Sequence, residues 1–404
     1  MIFLIIPIMF LAINPMLNEA GTIFRATLLA VITAMYCLFR PPKLVEYKLF
    51  IVPIILIISW YLLGWTFHDQ SYADFLLGAY ARGFGILTLI GLYLMLFISA
   101  DSIIENIKWF FYCLYFTLSL ALIYGTFQSF GLDFFKYKLN FEGIKLTLTN
   151  PNFSSAFLGI LSVVPFGMLL SRQSKYKILH LTVFVVTEIL IFQTASTQGF
   201  ALSVIGCSIL VVFRFLPMKF YSSKNLAGII ISSFIALVIV FATVINLKVF
   251  DNLTKYLNEN LGITDRVQHW LTGIRVFQDN PIFGVGVDNL GKFSGQYLSE
   301  NFLLGGFVNP DKSHNAVIDH FANGGIVVGM SWIYFITIVS WMALKLQESS
   351  IPGIDDYKKQ IIVAIWLTYV IQTFISTDHL VISVLGMISA GGILRMSFER
   401  IRLV

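Results

Sequence analysis

Long apolar runs separated by short polar breaks dominate the chain from its second residue onward. A run of about 17–25 apolar residues can cross a hydrocarbon core roughly 30 Å thick. Such runs lie near residues 1–16, 22–39, 48–66, 83–100, 107–127, 151–171, 177–194, 197–215, 226–247, 324–345, 360–376 and 379–398. The first is short, and residues 195–196 barely separate the seventh from the eighth. This pattern predicts an all-α membrane protein with about twelve transmembrane helices. Residues 1–10 lack a basic leading segment and a small-residue cleavage site, so they read as a retained first helix rather than a signal peptide.

Composition agrees with lipid as the main solvent. Hydrophobic residues make up 57% of the 404 and charged residues only 12%, with 38 Phe. Soluble domains carry about 25% charged residues, so this chain has too few polar side chains to cover itself in water. Cys37, Cys113 and Cys207 each sit inside an apolar run, with neither metal spacing nor a pairable loop partner.

The net charge of +5 matters through its distribution, and nucleic acid is not an expected partner. Lys and Arg accumulate in short cytoplasmic loops. With the N-terminus inside, the inner segments hold Arg40, Lys43, Lys48, Lys108, Arg172, Lys175, Lys177, Arg214, Lys219, Lys224, Lys345, Lys358, Lys359, Arg395, Arg400 and Arg402, which is 16 of 27. The short outer turns at residues 17–21, 195–196 and 377–378 hold none. Both termini are therefore expected in the cytoplasm.

One connection is far longer than the rest, and long connections are usually functional or disordered. It divides the chain into helices at 1–247, an outer loop at 248–313 and the last helices at 314–404. Within the loop, Val267, Trp270, Leu271, Ile274 and Phe277 recur at helical spacing after Thr264, a candidate N-cap. Asn280-Pro281 ends that helix, and Gly284-Val285-Gly286 makes a tight turn. The loop thus reads as a folded outer subdomain with short helices. A second outer loop, 131–150, alternates aromatic and charged residues.

His314 opens the helix that ends the long loop. An imidazole titrates near neutral pH and can take a proton from an attacking hydroxyl. The alternative is a solvated loop histidine, with Ser313 or Asn315 as a cap. Arg82, Arg266 and Arg275 fall in the outer half, and guanidinium groups match phosphate oxygens bidentately. The alternative there is snorkelling or salt-bridged arginines, with Asp265 beside Arg266. Positions 266 and 275 are half a turn out of phase, so both face one ligand only if the helix lies across it. Glu188 is the one carboxylate well inside an expected span, close to Gln193 and Gln198. It serves glycosyl transfer, ion coupling or structure alone equally well. Phosphate-binding Gly-rich loops, paired-Cys metal sites, a nucleophile elbow and a loop Asp-x-Asp are missing from the sequence, so catalysis is expected to be metal-independent and free of cofactors.

The run from Asp265 to Gly286 contains Arg266, Trp270, Phe277, Asn280-Pro281, Gly284 and Gly286. It resembles the loop signature of the O-antigen ligase and polymerase superfamily. His314-Asn315, followed by Gly324-Gly325 and Gly329, resembles that family's His-Asn and Gly-x-x-Gly element, stretched by one residue with Val328 where glycine is expected. Asn150-Pro151-Asn152 and Thr194 to Gly199 fall where such proteins have similar segments.

The resemblance implies a GT-C-like glycosyltransferase of the bacterial inner membrane that works on the periplasmic face, inverting and without a metal. The donor would be a glycan on undecaprenyl diphosphate. The acceptor would be a second lipid-linked unit for a polymerase, or the lipid A core for a ligase, with a chain-length regulator as a further candidate partner. His314 matches the proposed base, and Arg266 matches the loop arginine that holds the diphosphate. Arg82, Arg275, Gln198 and Asn315 are further candidates for binding substrate. The sequence departs from the family where Thr197 and Gln198 replace a common arginine. A secondary transporter or flippase is a third reading, opposed by the missing internal repeat and the asymmetric outer loop.

Overall fold

The computed structural model describes residues 2–13, 22–80, 82–135, 143–215, 264–298 and 310–403. Its helices are α1 (Ile5–Leu11), α2 (Thr22–Phe39), α3 (Lys48–Trp65), α4 (Tyr72–Leu77), α5 (Ile86–Ser102), α6 (Ile107–Ser129), α7 (Pro151–Leu170), α8 (Lys177–Gln193) and α9 (Thr197–Phe215). After them come α10 (Thr264–Asp279), α11 (Leu290–Phe293), α12 (Ala316–Lys345), α13 (Asp356–Ile375) and α14 (Leu380–Leu403). Among the described residues, seven helices are long and apolar enough to cross a membrane. Over the described residues the protein is all-helical, and its several apolar helices make it a multi-pass membrane protein.

The expected ninth span, 226–247, lies outside the described residues, as do residues 14–16 of the first span and 136–142 of the second outer loop. Each other expected span falls on a helix. The helical part of the first, Ile2–Leu11, spans only about 15 Å at 1.5 Å per residue, too short to cross alone. Its Phe3, Met9 and Phe10 are buried, so it packs inside the bundle instead.

Burial orders the helices. The apolar windows of α14 and α7 are 94% and 78% buried, whereas those of α2 and α3 are 28% and 33% buried, which puts the first pair at the centre and the second at the lipid-facing rim. Small side chains let α7 and α9 meet closely. Ser162 donates to Ser203 at 2.8 Å, and Ser155 donates to Ser196 at 3.0 Å. Ser203 in turn donates to Glu188 at 2.5 Å, so this carboxyl of α8 is tied to a chain of hydroxyls between helices.

Successive helices alternate in direction, as the expected spans require. One end gathers the starts of α2, α5, α7, α9, α12 and α14 with the ends of α3 and α13. There Arg25 donates to the Thr147 carbonyl at 2.6 Å, and Thr22 donates to that of Tyr80 at 3.2 Å. The opposite end carries Lys345, Glu348, Lys358, Lys359, Arg395 and Arg400 in ion pairs such as Arg400–Glu348 at 2.7 Å.

The helix expected from Thr264 is α10, and Asn280 follows its last residue. Its apolar face does not form a separate core. Val267, Leu271 and Ile274 pack with Ile318, and Val276, Val285 and Leu290 pack with Ala322, so the first turns of α12 supply the other half. The helix expected to open at His314 is α12, which begins at Ala316, carries the expected span 324–345 and breaks at Gly325, where φ is 68° and ψ is −165°. Residues Asn280–Gly286 dock against this break. Val285 N–H donates to the Ala322 carbonyl (3.0 Å), Gly286 N–H to that of Asn323 (2.9 Å), and Ile326 N–H to that of Pro281 (2.8 Å). Backbone groups freed by the break are thereby paired from outside the helix. On the far side Trp60 of α3 donates to the Ile282 carbonyl at 2.8 Å, and Phe283 stacks on Trp60 and Phe67.

Candidate functional site

His314 sits where the long loop enters α12, in a left-handed conformation with φ of 56°. Such a backbone costs a β-carbon residue about 1–3 kcal/mol and persists where neighbours enforce it. Here both neighbours are tied down. Ser313 N–H donates to Asp319 Oδ1 (2.8 Å), and its hydroxyl donates to the Asn315 carbonyl (2.8 Å). Asn315 caps α12, its Oδ1 accepting from Val317 N–H (3.0 Å) and Ile318 N–H (3.2 Å).

Two side chains fix this corner and α10 to the same helix end. Asn315 Nδ2 donates to the Phe374 carbonyl at 3.0 Å, and Arg266 Nη1 donates to the adjacent Ile375 carbonyl at 2.7 Å. The last carbonyls of α13 lack intrahelical donors and carry the negative end of its dipole, so a guanidinium is stabilised there. His269, one turn beyond Arg266, lays its ring on His314 with centroids 4.9 Å apart.

Arg82 approaches from the loop between α4 and α5. It donates from Nε (2.6 Å) and Nη2 (2.8 Å) to the two carboxylate oxygens of Asp311, and its guanidinium lies 5.5 Å from the centre of the Phe153 ring. The paired Arg82 outweighs burial and holds the Asp311 carboxyl below its usual pKa. Next in the chain, Lys312 makes a buried ion pair with Asp288 at 2.5 Å. Asp288 Oδ2 also accepts from Ala79 N–H (2.9 Å) and Phe84 N–H (3.0 Å), so this pair ties the Arg82 loop to α12. Burial opposes the Lys312 charge, but Asp288 and Asp319 outweigh it and raise its pKa.

These surroundings set the protonation state of His314. Burial, then His269, Arg82 and Arg266, push its pKa down to about 4 against the opposing pull of Asp311. The imidazole is neutral at pH 7 and able to accept a proton. A neutral base on which the Arg82 and Arg266 charges act suits proton removal from a hydroxyl beside a departing anion.

The other sequence candidates are spread more widely. Arg275 donates to the Tyr297 carbonyl at 3.2 Å within the loop, half a turn round α10 from Arg266, and its charge is not among the main ones acting on His314. Gln198, at the start of α9, is buried, and among the described residues neither amide atom has a hydrogen-bond partner. Glu188 lies between α8 and α9, bonded to Ser203. Among the described residues no three His, Cys, Asp or Glu side chains group as metal ligands.

Sequence reasoning did not anticipate several neighbours. His269 carried no signal beyond its place one turn after Arg266. Asp378 was visible only as half of a two-residue turn, yet it lies largely shielded 3.9 Å from His320, and desolvation with help from Asp319 pushes its pKa up to about 7. His379 is also buried, with its ring 4.7 Å from that of Phe153.

A family model described as O-antigen ligase matches residues 181–333, which run from α8 through Arg266, Arg275 and His314 into the middle of α12. No curated protein matches the chain. That match supports the resemblance of the loop and His-Asn segments to the O-antigen ligase and polymerase superfamily.

Proposed function

We propose that the protein is a polymerase of lipid-linked oligosaccharide repeat units, of the kind that builds O-antigen or a related surface polysaccharide. The observation that carries this reading is that Arg266 and Asn315, the residue after His314, donate to the adjacent carbonyls of Ile375 and Phe374, while Arg82 pairs with Asp311 three residues before His314. The donor is a glycan on a polyprenyl diphosphate, and the acceptor is a sugar hydroxyl of a second lipid-linked unit.

In the reaction the acceptor oxygen attacks the anomeric carbon from the face opposite the leaving group. His314 takes the hydroxyl proton as the new C–O bond forms. The old bond to the diphosphate breaks, and its electron pair leaves with the diphosphate, where Arg266 and Arg82 offset the growing negative charge. Attack from the opposite face inverts the anomeric centre, and the guanidinium groups supply the positive charge without a metal ion. Asn315 anchors the corner at His314, and the His269 ring packs against its imidazole. Arg275 supports the loop, and Gln198 offers an unpaired amide to the substrate.

The excess of Lys and Arg at the opposite end argues for that end in the cytoplasm, both termini inside, and the site on the periplasmic face of a bacterial inner membrane. A ligase that moves the glycan to lipid A core uses the same donor and the same base. The family description names that activity, which keeps it as the second reading.

His314→Ala tests the proposal. The variant should insert at full length and leave single repeat units in place of polymer. Normal chain length in that variant removes His314 from the mechanism. Unattached polymer accumulating in its place assigns the ligase activity instead.

A further inference from the structure

At the end of the bundle opposite His314, α2 and α5 part to leave a cleft of about 760 Å³, lined among others by Val31, Met35, Phe39, Arg40, Asp101 and Glu105. This is the size of a cleft that holds a small molecule, roughly 300–1,000 Å³. Its wall is apolar and its mouth is charged. On α2, Val31 is 53% exposed, Met35 49% and Phe39 78%, so the rim continues along a face turned to lipid. The floor is closed by Tyr36 and Ser102, whose hydroxyls are 3.1 Å apart.

Three charged groups border the mouth, and they are not equivalent. Asp101 is engaged, accepting from Lys43 N–H at 2.7 Å and from the Tyr47 hydroxyl at 3.1 Å. Arg40 and Glu105 are both exposed, and among the described residues neither has an ion-pair partner. An apolar wall between a free guanidinium and a free carboxylate fits a molecule with hydrocarbon chains, an anionic group and a cationic group.

We propose that this cleft binds a phospholipid whose headgroup carries a primary ammonium, as in phosphatidylethanolamine. The phosphate pairs with Arg40, the ammonium donates to Glu105, and the chains run along Val31, Met35 and Phe39. A lipid with an anionic headgroup satisfies Arg40 but repels Glu105. A quaternary ammonium carries the charge but no N–H to donate. The site is independent of the proposed reaction, because it lies at the other end of the bundle and shares no residue with it.

The experiment uses the full chain in detergent with an equimolar mixture of phosphatidylethanolamine, phosphatidylcholine and phosphatidylglycerol of the same acyl chains, read by native mass spectrometry. The wild type should retain phosphatidylethanolamine at least fivefold over either of the others. Arg40→Ala should reduce retention of all three. Glu105→Gln should abolish the preference over phosphatidylglycerol while leaving chain binding intact. Both residues are exposed, so neither change should impair folding, and matching thermal unfolding curves check that. Equal retention of the three lipids by the wild type overturns the proposal, as does a preference unchanged by both substitutions.

Discussion

The imidazole of His269 lies over that of His314, with ring centroids 4.9 Å apart and planes inclined by 20°. His269 and Arg266 are three residues apart on α10, so one helix face delivers both a ring and a guanidinium to the same imidazole. The stack holds the His314 ring, and the charge of His269 helps keep it neutral. An aromatic contact of this kind contributes about 0.5–1.5 kcal/mol, so His269→Ala should slow glycan transfer by roughly 2–10-fold. His269→Phe keeps a ring but removes the titrating group. It should retain most activity and move the acidic limb of kcat/KM upward from about 4, only partway to 6.5, because burial is the larger cause. An acidic limb unmoved by His269→Phe would separate the two rings electrostatically.

The depressed pKa of His314 fixes the shape of the pH profile. The proposed reaction needs the base neutral, so kcat/KM should stay level from pH 8 to about 5 and fall only as pH approaches about 4. A limb near 6.5 would mean that His314 is solvated. The same shift links to stability. Because the folded pKa lies below the unfolded 6.5, the contribution of His314 is fully present above pH 6.5 and is lost as pH falls through about 4. Thermal unfolding of His314→Gln should therefore lose less stability than the wild type between pH 6.5 and 4.

How much of this was legible in the sequence follows from the range of each interaction. Transmembrane helices are written in uninterrupted apolar runs, so their places were readable wherever the structure describes them. The same holds for α10, whose Val267, Leu271 and Ile274 face Ile318 at a helical period. Arg82 and Asp311 are 229 positions apart, and nothing local to either indicates that they meet. Lys312 and Asp288 share this difficulty. Gly325 was visible as part of a glycine motif, but the break in α12 depends on docking by Asn280–Gly286, a tertiary event. His314 and Arg266 were singled out by residue type and motif, whereas the carbonyls of Phe374 and Ile375 that anchor their neighbourhood belong to a helix end that carries no side-chain signal.

The docked break makes a sharp stability prediction. Gly325 has φ of 68°, and a β-carbon there would meet the Ile282 carbonyl oxygen at 2.1 Å. Gly284 has φ of 65°, and a β-carbon there would meet the Asn323 carbonyl carbon at 2.3 Å. Either glycine to alanine change strains the backbone and forces the loop off α12, so each should cost at least about 2 kcal/mol in thermal unfolding of the purified protein. The two substitutions act on one junction, so the double variant should lose clearly less than the sum of the singles. Additive losses would mean that the loop and the break are stabilised separately.

The Lys312–Asp288 pair carries the last prediction. Its side chains are 7% and 0% exposed, and removing one partner leaves the other charge buried, a loss of about 3–5 kcal/mol for pairs of this kind. Lys312→Met should therefore destabilise the protein strongly and, because Asp288 receives the N–H groups of Ala79 and Phe84, loosen the Arg82 loop. Asp288→Asn alone leaves a buried ammonium and should be comparably costly. In the double variant the asparagine oxygen still accepts both N–H groups and neither member of the pair leaves its charge behind, so more than half of the single-variant loss should be recovered. Thermal unfolding of the four proteins gives the coupling energy directly. Losses that simply add would show that Lys312 and Asp288 act independently, and the loop that carries Arg82 would then need another anchor.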